Sequence, residues 1–187
     1  MDLIQERIIR DCHREVSHLT GDVAEIGVYQ GESAELITGL FQDSTVHLFD
    51  TFQGMPKEMH VEGLDGNAPG SFNGNKLRET VANRLYRYGS QVKIHQGVFP
   101  KTAAGLKPRL KFVHIDCDLY LSTKEALKWA WELLEPGGIA LDDDCYCTSC
   151  HGARKAIDEF VLTRQDALVE KRDRLAIIRK IGGTDAS

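Results

Sequence analysis

The sequence predicts an α/β domain with a mostly parallel sheet, helices on both faces, and an antiparallel hairpin closing its C-terminal end. Five short β-branched apolar runs recur along the chain, and segments with helical spacing of apolar residues separate them. The last stretch, "ALVEKRDRLAIIRK", abandons that alternation for two strand-like runs around the charged turn Arg172-Asp173-Arg174. Alternating strands and helices imply parallel pairing, because parallel strands need a crossover between them, and they put ligands at the carboxyl ends of the strands.

Taken in order, residues 1–20 read as an N-terminal helix. "MDLIQERIIRDCHREV" mixes both charge signs through its apolar positions, so it has no h-region and is not expected to be a signal peptide. The first strand, Val23 to Val28, carries Glu25 and Gly27 and runs through Gly31 into a helix. Glycines there permit a tight turn and close approach of a ligand to the backbone, and a helix N-terminus attracts negative charge. The spacing Glu-x-Gly-x-x-x-Gly departs from the G-x-G-x-x-G of dinucleotide binders. The second strand, Thr45 to Asp50, ends in an acid about twenty residues past the glycines, where a ribose offers its hydroxyls. A turn or cap role for Asp50 is the plainer alternative.

"KEMHVEGLDGNAPGSFNG" is rich in Gly, Asn and Asp, so residues 55–75 read as a lid loop carrying His60. Leu77, Val81 and Leu85 then share a helical face, and Val92 to Gly97 is the third strand. The fourth, Lys111 to Asp116, ends "HIDCDLY", with Asp116 and Asp118 at its lip. Leu127, Ala130 and Leu134 mark the next helix, and Gly137-Gly138 is read as its stop before the fifth strand, Gly138 to Asp143. That strand ends in Asp142, Asp143 and Asp144, followed by a helix through Ala153, Ile157 and Phe160. Residues 182–187 read as a frayed tail.

At 187 residues the chain is most economically one domain, and 42% apolar with 27% charged residues is the composition of an ordinary globular protein. A net charge of −5 offers no electrostatic footprint for nucleic acid or an anionic membrane, so the partner is expected to be a small molecule. No apolar run approaches the length a bilayer span needs. A cytoplasmic location with reduced thiols is therefore expected, and five cysteines, an odd number, argue against a complete disulfide framework.

Carboxylates from two neighbouring strand ends would repel strongly unless a cation or protons intervened. Hard oxygen donors suit Mg²⁺, Ca²⁺ or Mn²⁺ and leave positions open for substrate oxygens. The adjoining "DDDCYCTSCH" contains C-x-x-C-H, the attachment pattern of c-type haem, but nothing else in the chain resembles an exported haem carrier. Cys145, Cys147, Cys150 and His151 could supply four zinc ligands, yet four within seven residues would strain the loop around a tetrahedron. Thiols lining a substrate-facing loop are the favoured reading. His47, His95 and His114 lie inside strands and read as packed residues, as do Trp129 and Trp131 on a helix.

"GDVAEIGVYQGESA", "LFDTFQGMP", "FVHIDCDLYLSTKEAL", "PGGIALDDD" and "GARKAIDEF" occur in the order found in the macrocin O-methyltransferase family, and the resemblance extends from about Gly21 to the last strand. It implies S-adenosylmethionine-dependent methylation of a sugar hydroxyl, or in some members another hydroxyl, on a seven-stranded Rossmann-like sheet with an antiparallel last strand. It implies that Glu25, Gly27, Gly31 and Ser33 line the methionine and ribose region of the cofactor. Asp50 would bind the ribose hydroxyls with Thr51 and Phe52 nearby, and Gly97, Val98 and Phe99 would border the adenine. Asp116, Asp143 and Asp144 match the family's acids for a divalent metal, with Asp116 also beside the cofactor. The chain departs from the family in having Cys145 directly after Asp144, in a third acid at Asp142, and in a shortened N-terminal region that bears on substrate size and homo-oligomer formation.

A Mg²⁺ ion held by these acids would lower the pKa of a bound hydroxyl. Asp118 and His151 are the base candidates. Two other readings stay open: transfer to a catechol-like phenol on the same fold, and a zinc-binding or redox module built on the cysteine loop.

Overall fold

The computed structural model describes residues 1–182, so of the tail expected over 182–187 all but the first residue lies outside the described residues. The strands are β1 (Asp22–Ile26), β2 (Val46–Asp50), β3 (Val92–Gln96), β4 (Leu110–Ile115), β5 (Leu134–Asp142), β6 (Ala167–Arg172) and β7 (Leu175–Lys180). The helices are α1 (Leu3–Val16), α2 (Glu32–Leu40), α3 (Leu77–Arg84), α4 (Tyr120–Leu133) and α5 (His151–Leu162).

These strands form one sheet in the order β3-β2-β1-β4-β5-β7-β6. The first five strands pair in parallel, while β7 runs antiparallel to β5 and to β6. The expected hairpin is present, with Arg172 opposite Leu175 at its turn. The chain lays β2 and β3 on one side of β1, then returns to lay β4 on the other. A crevice therefore opens at the carboxyl ends of β1 and β4, where the strand order reverses.

Alternation along each strand sends successive side chains to opposite faces. Val23, Leu48, Phe112, Ile139 and Ile177 pack with Ile8, Ile9, Ile37 and Val81, so α1, α2 and α3 cover one face. Ala24, Ile26, Val113, Ile115 and Ala140 pack with Ala126, Leu127, Ala130 and Ile157, so α4 and α5 cover the other. Each fully buried Leu, Ile or Phe among these contributes roughly 1.5–3 kcal/mol by leaving water. Helix α1 begins where the Asp2 carboxylate caps the backbone N–H groups of Ile4 and Gln5, both at 2.9 Å. Among the described residues no helix is long and apolar enough to cross a membrane.

Two boundaries differ from expectation. Leu134, read as the last apolar position of a helix, opens β5 three residues before the glycine pair. Leu110 pairs with Leu134 and Phe112 with Ile139, so residues 135–138 bulge opposite Lys111 and the glycines serve the bulge rather than a helix stop. The first strand ends at Ile26 because Gly27 turns at φ +91°, against β4: a Cβ there would lie 1.7 Å from the Asp116 carbonyl oxygen. Only glycine permits that approach.

Candidate functional site

A cavity of about 410 Å³ occupies the crevice at the strand ends. Its walls include Gly27, Gly31 and Ser33 from the turn after β1, Asp50 and Thr51 after β2, and Gly97 and Phe99 after β3. Asp116, Asp118 and Asp144 line its other side, and Gln5 of α1 reaches it from above. Val98 lines an adjoining cavity that shares Thr51 and Gly97 with the first. The volume is in the range that holds a nucleoside-sized ligand, and apolar Phe99 and Met55 beside polar Asp50 suit one.

The Asp50 carboxylate binds its own surroundings closely. Oδ2 accepts the N–H groups of Val28 (2.7 Å) and Tyr29 (2.9 Å), and Oδ1 accepts that of Phe52 (2.6 Å). It thereby straps the end of β2 to the turn after β1. Phe52 itself is buried in the core under α1, α2 and α3 and does not line the cavity.

Glu25 is also placed away from the cavity. It shares the strand face of Val23, so it points into the core, where Oε1 lies 2.8 Å from His114 Nδ1 with both residues fully buried. Burial pulls the His114 pKa down. The hydrogen bond and attraction to Glu25, with the further pull of Asp116 and Asp143, outweigh it and raise the value to about 9.

The acids do converge. Carboxylate oxygens of Asp116, Asp143 and Asp144 lie within 4.8 Å of one another, and a second group joins Asp118, Asp144 and the Cys150 sulfur. A hard oxygen set of this kind fits a divalent cation. The third acid turns away from this role: Asp142 is fully buried, and its Oδ1 accepts the Asp144 backbone N–H at 3.0 Å. The Asp118 backbone, at φ +58°, donates its N–H to Asp144 Oδ2 at 2.9 Å.

Burial and the neighbouring Asp143 charge raise the Asp116 pKa to about 8. Burial and repulsion from Asp116 push Asp144 well above the carboxylate range. Burial raises Asp118 as well, partly offset by the Cys150 thiol it accepts. Such a cluster favours any cation that enters it.

One cation is already there. Arg174, in the turn between β6 and β7, sets its guanidinium 3.1 Å and 3.4 Å from the two oxygens of Asp143 and 2.6 Å from Asp2. The sequence reading missed it. The antiparallel register that pairs Asp142 with Ala176 carries Arg174 level with the residues just past Asp142, a signal visible only once β5 and β7 are neighbours.

The lid was also legible only in outline. Asp65 caps the N-terminus of α4 through Tyr120 N–H (2.8 Å), and Asn67 Nδ2 donates to Asp118 Oδ1 at 3.1 Å. Gly66 packs so tightly on the cysteine loop that a Cβ would sit 2.2 Å from the Ser149 carbonyl oxygen. The lid therefore touches the acids at Asp118 and packs beside them on the start of α4 and on the cysteine loop.

His151 does not join them: it stands exposed at the start of α5 and does not line the cavity. Nor do the sulfurs gather. Cys145 is buried, Cys147 meets Ser149 Oγ at 3.3 Å, and Cys150 donates to Asp118 Oδ1 at 3.3 Å. Among the described residues no group of three donors is drawn from Cys145, Cys147, Cys150 and His151. Trp129 packs edge-on against Phe49 and Phe99, Trp131 donates to Asp166 at 2.9 Å, and His47 and His95 stack beside Phe49.

The sheet order, the antiparallel last hairpin and the cavity at the switch point define a Rossmann-like fold of the O-methyltransferase class. The O-methyltransferase NovP superposes with a TM-score of 0.77 at 25% identity, covering 96% of this chain and 80% of that one. The calicheamicin methyltransferase CalS11 gives the same TM-score at 21% identity, covering 94% and 78%. The chain belongs to the macrocin O-methyltransferase (TylF) family, whose pattern matches residues 4–177.

Among characterised relatives, mycinamicin III 3''-O-methyltransferase of Micromonospora griseorubida is 31% identical, over 75% of this chain and 60% of its own length. Demethyldecarbamoylnovobiocin O-methyltransferase of Streptomyces niveus is 28% identical, over 81% and 63%. The chain thus spans less than two thirds of the length of these relatives.

Proposed function

We propose that this chain is a single S-adenosylmethionine-dependent O-methyltransferase domain that acts on a hydroxyl of a small molecule, a sugar or a glycosylated natural product. We further propose a divalent cation held by Asp116, Asp143 and Asp144, and a cytoplasmic location. The observation that carries the reading is the convergence of those three carboxylates beside the cavity that holds Asp50, Gly27 and Gly31, in a chain of this family. The relatives' names support the acceptor class, since one is an O-methyltransferase of mycinamicin III and another of demethyldecarbamoylnovobiocin.

When bound, S-adenosylmethionine supplies a sulfonium methyl group open to in-line displacement, and Mg²⁺ supplies Lewis acidity that favours an ionised hydroxyl. The protein's part is placement. The turn after β1, pinned by Asp50, forms the floor for the cofactor's polar half. Asp116 both lines the cavity with that turn and belongs to the acid group, so it would stand beside a bound cofactor and a bound cation alike.

Asp118 takes the acceptor's proton. Burial raises its pKa above the ordinary carboxylate value, which makes it a stronger base, and Asn67 and Cys150 hold its carboxylate in place. The lid residues that grip Asp118 and α4 exclude water from the reacting oxygen.

A methyl-transfer screen over sugars, glycosides and catechols, with and without chelator, tests the reading. Transfer to a sugar hydroxyl that chelation abolishes is the expected result. Transfer confined to catechols would move the acceptor to phenols. Full activity in metal-free protein would remove the cation and leave Asp118 as the principal catalyst.

A further inference from the structure

The cysteine loop has a property that methyl transfer does not use. Cys147 and Cys150 stand at the first and fourth positions of one turn. The Cys150 N–H reaches the Cys147 carbonyl at 3.4 Å, and both sulfurs contact the Ser149 hydroxyl, at 3.3 Å and 3.7 Å. A turn closed in this way holds its first and fourth Cα atoms within about 7 Å. Disulfides span about 4.4–6.8 Å between Cα atoms, so the pair can bridge with little backbone movement.

The two thiols differ in kind. Cys147 is half-buried and reachable, and hydrogen bonds from the Ser149 side chain and backbone hold its pKa below the ordinary thiol value. Cys150 is buried and directs its S–H at Asp118 and Asp144. The remaining thiols are set apart: burial pushes Cys12 and Cys145 up to about 12, and Cys117 lies against Thr123 Oγ1 at 3.6 Å.

We propose that Cys147 and Cys150 are a reversible modification site, a dithiol that exchanges with low-molecular-weight disulfides and governs the acid cluster from its rim. Cys147 attacks one sulfur of the small disulfide. That S–S bond breaks, a mixed disulfide forms at Cys147, and one thiolate departs. Cys150 then attacks the Cys147 sulfur, the second thiolate departs, and the protons lost by the two protein thiols go to the two departing thiolates. The protein is oxidised by the two electrons the small disulfide gains.

The bridge acts on the site by geometry. It removes the S–H that Asp118 Oδ1 accepts, draws the Cys150 sulfur from Asp144, and shifts the Ser149 carbonyl on which Gly66 of the lid packs. The exchange itself is independent of the methyltransferase reading, whereas its effect on activity rests on that reading.

The test is incubation of the full chain with oxidised glutathione, followed by intact mass and peptide mapping. The wild type should become two hydrogens lighter, with Cys147 joined to Cys150 and no glutathione retained. Cys150→Ser should trap glutathione at Cys147, and Cys147→Ser should take up none. A stable adduct on the wild type, an unreacted dithiol, or a bridge to Cys117 or Cys145 would overturn the proposal. Bridged protein should transfer methyl groups at least about tenfold more slowly, a barrier change of roughly 1.4 kcal/mol, with recovery in dithiothreitol. The mass readout decides the modification whether or not methyl transfer is detected.

Discussion

Arg174 holds Asp143 from a turn that lies thirty-one residues further along the chain, with its guanidinium nitrogen 3.1 Å from the nearer carboxylate oxygen. The same side chain binds Asp2, the capping residue of α1. One guanidinium thus joins the N-terminal helix to the acid cluster, and it stands where a divalent cation would compete for Asp143.

Arg174→Met should therefore tighten Mg²⁺ binding by roughly five- to thirtyfold, the factor that 1–2 kcal/mol represents. In chelator the same variant should melt earlier than wild type, because Asp143 and Asp2 lose their counter-ion, and added Mg²⁺ should restore part of the difference. Titration calorimetry with Mg²⁺ reads the first effect and thermal denaturation the second. Unchanged affinity would mean that Asp143 takes no part in cation binding.

Asp143→Asn tests the cluster from the other side. It keeps the shape but removes one of the three carboxyl groups that gather within 4.8 Å. Methyl transfer should fall by about a hundredfold or more, roughly 2.7 kcal/mol in barrier, while S-adenosylhomocysteine binds as before. A parallel loss of both would place Asp143 in the cofactor site instead.

For Asp50 the expected effect is on the cofactor. Its carboxylate both holds the turn after β1 and faces the cavity, so Asp50→Ala removes an acceptor and loosens the floor. Each charge-assisted hydrogen bond lost costs about 1.5–3 kcal/mol. Calorimetric affinity for S-adenosylhomocysteine should drop at least tenfold in Asp50→Ala and less in Asp50→Asn, which keeps one acceptor oxygen for the turn. A folded Asp50→Ala protein with wild-type affinity would exclude Asp50 from binding.

The Glu25–His114 pair predicts a pH dependence of stability. His114 binds its proton more tightly folded, at about 9, than an unfolded histidine at about 6.5. Its stabilising contribution is complete below the lower value and is lost as pH rises through the higher one. Asp116, raised to about 8, works in the same direction, since the folded state again holds the extra proton. Metal-free protein should thus lose stability steadily from pH 6 to pH 9, of the order of 3 kcal/mol from His114 alone. Glu25→Gln should flatten the slope. Chemical denaturation across that range in chelator would disprove the pairing if wild type and Glu25→Gln ran parallel.

Much of this was legible in the chain. Runs such as "VAEIGV" and "KFVHID" fix strands because β-branched apolar residues suit a pleated, buried surface, and the break of rhythm after "KAIDEF" marked the antiparallel hairpin. Strand-end acids at Asp116, Asp143 and Asp144 could be read as neighbours because parallel strands all present their carboxyl ends at one edge.

What that reading could not reach is the partner of each group across the fold. Glu25 looked like a residue of the cavity, but its strand parity with Val23 turned it into the core, and the β1–β4 pairing brought His114 to meet it. Arg174 showed only as part of a charged turn until β7 settled beside β5, and nothing in the lid segment singled out Asn67, which the fold brings to Asp118. The sequence by itself determined which elements form and what chemistry their ends carry, because periodicity and residue type are local properties. Only the tertiary structure decided which charges are neutralised, which are buried and which face the cavity, because those depend on contacts between segments far apart in the chain, whose energies no single segment contains.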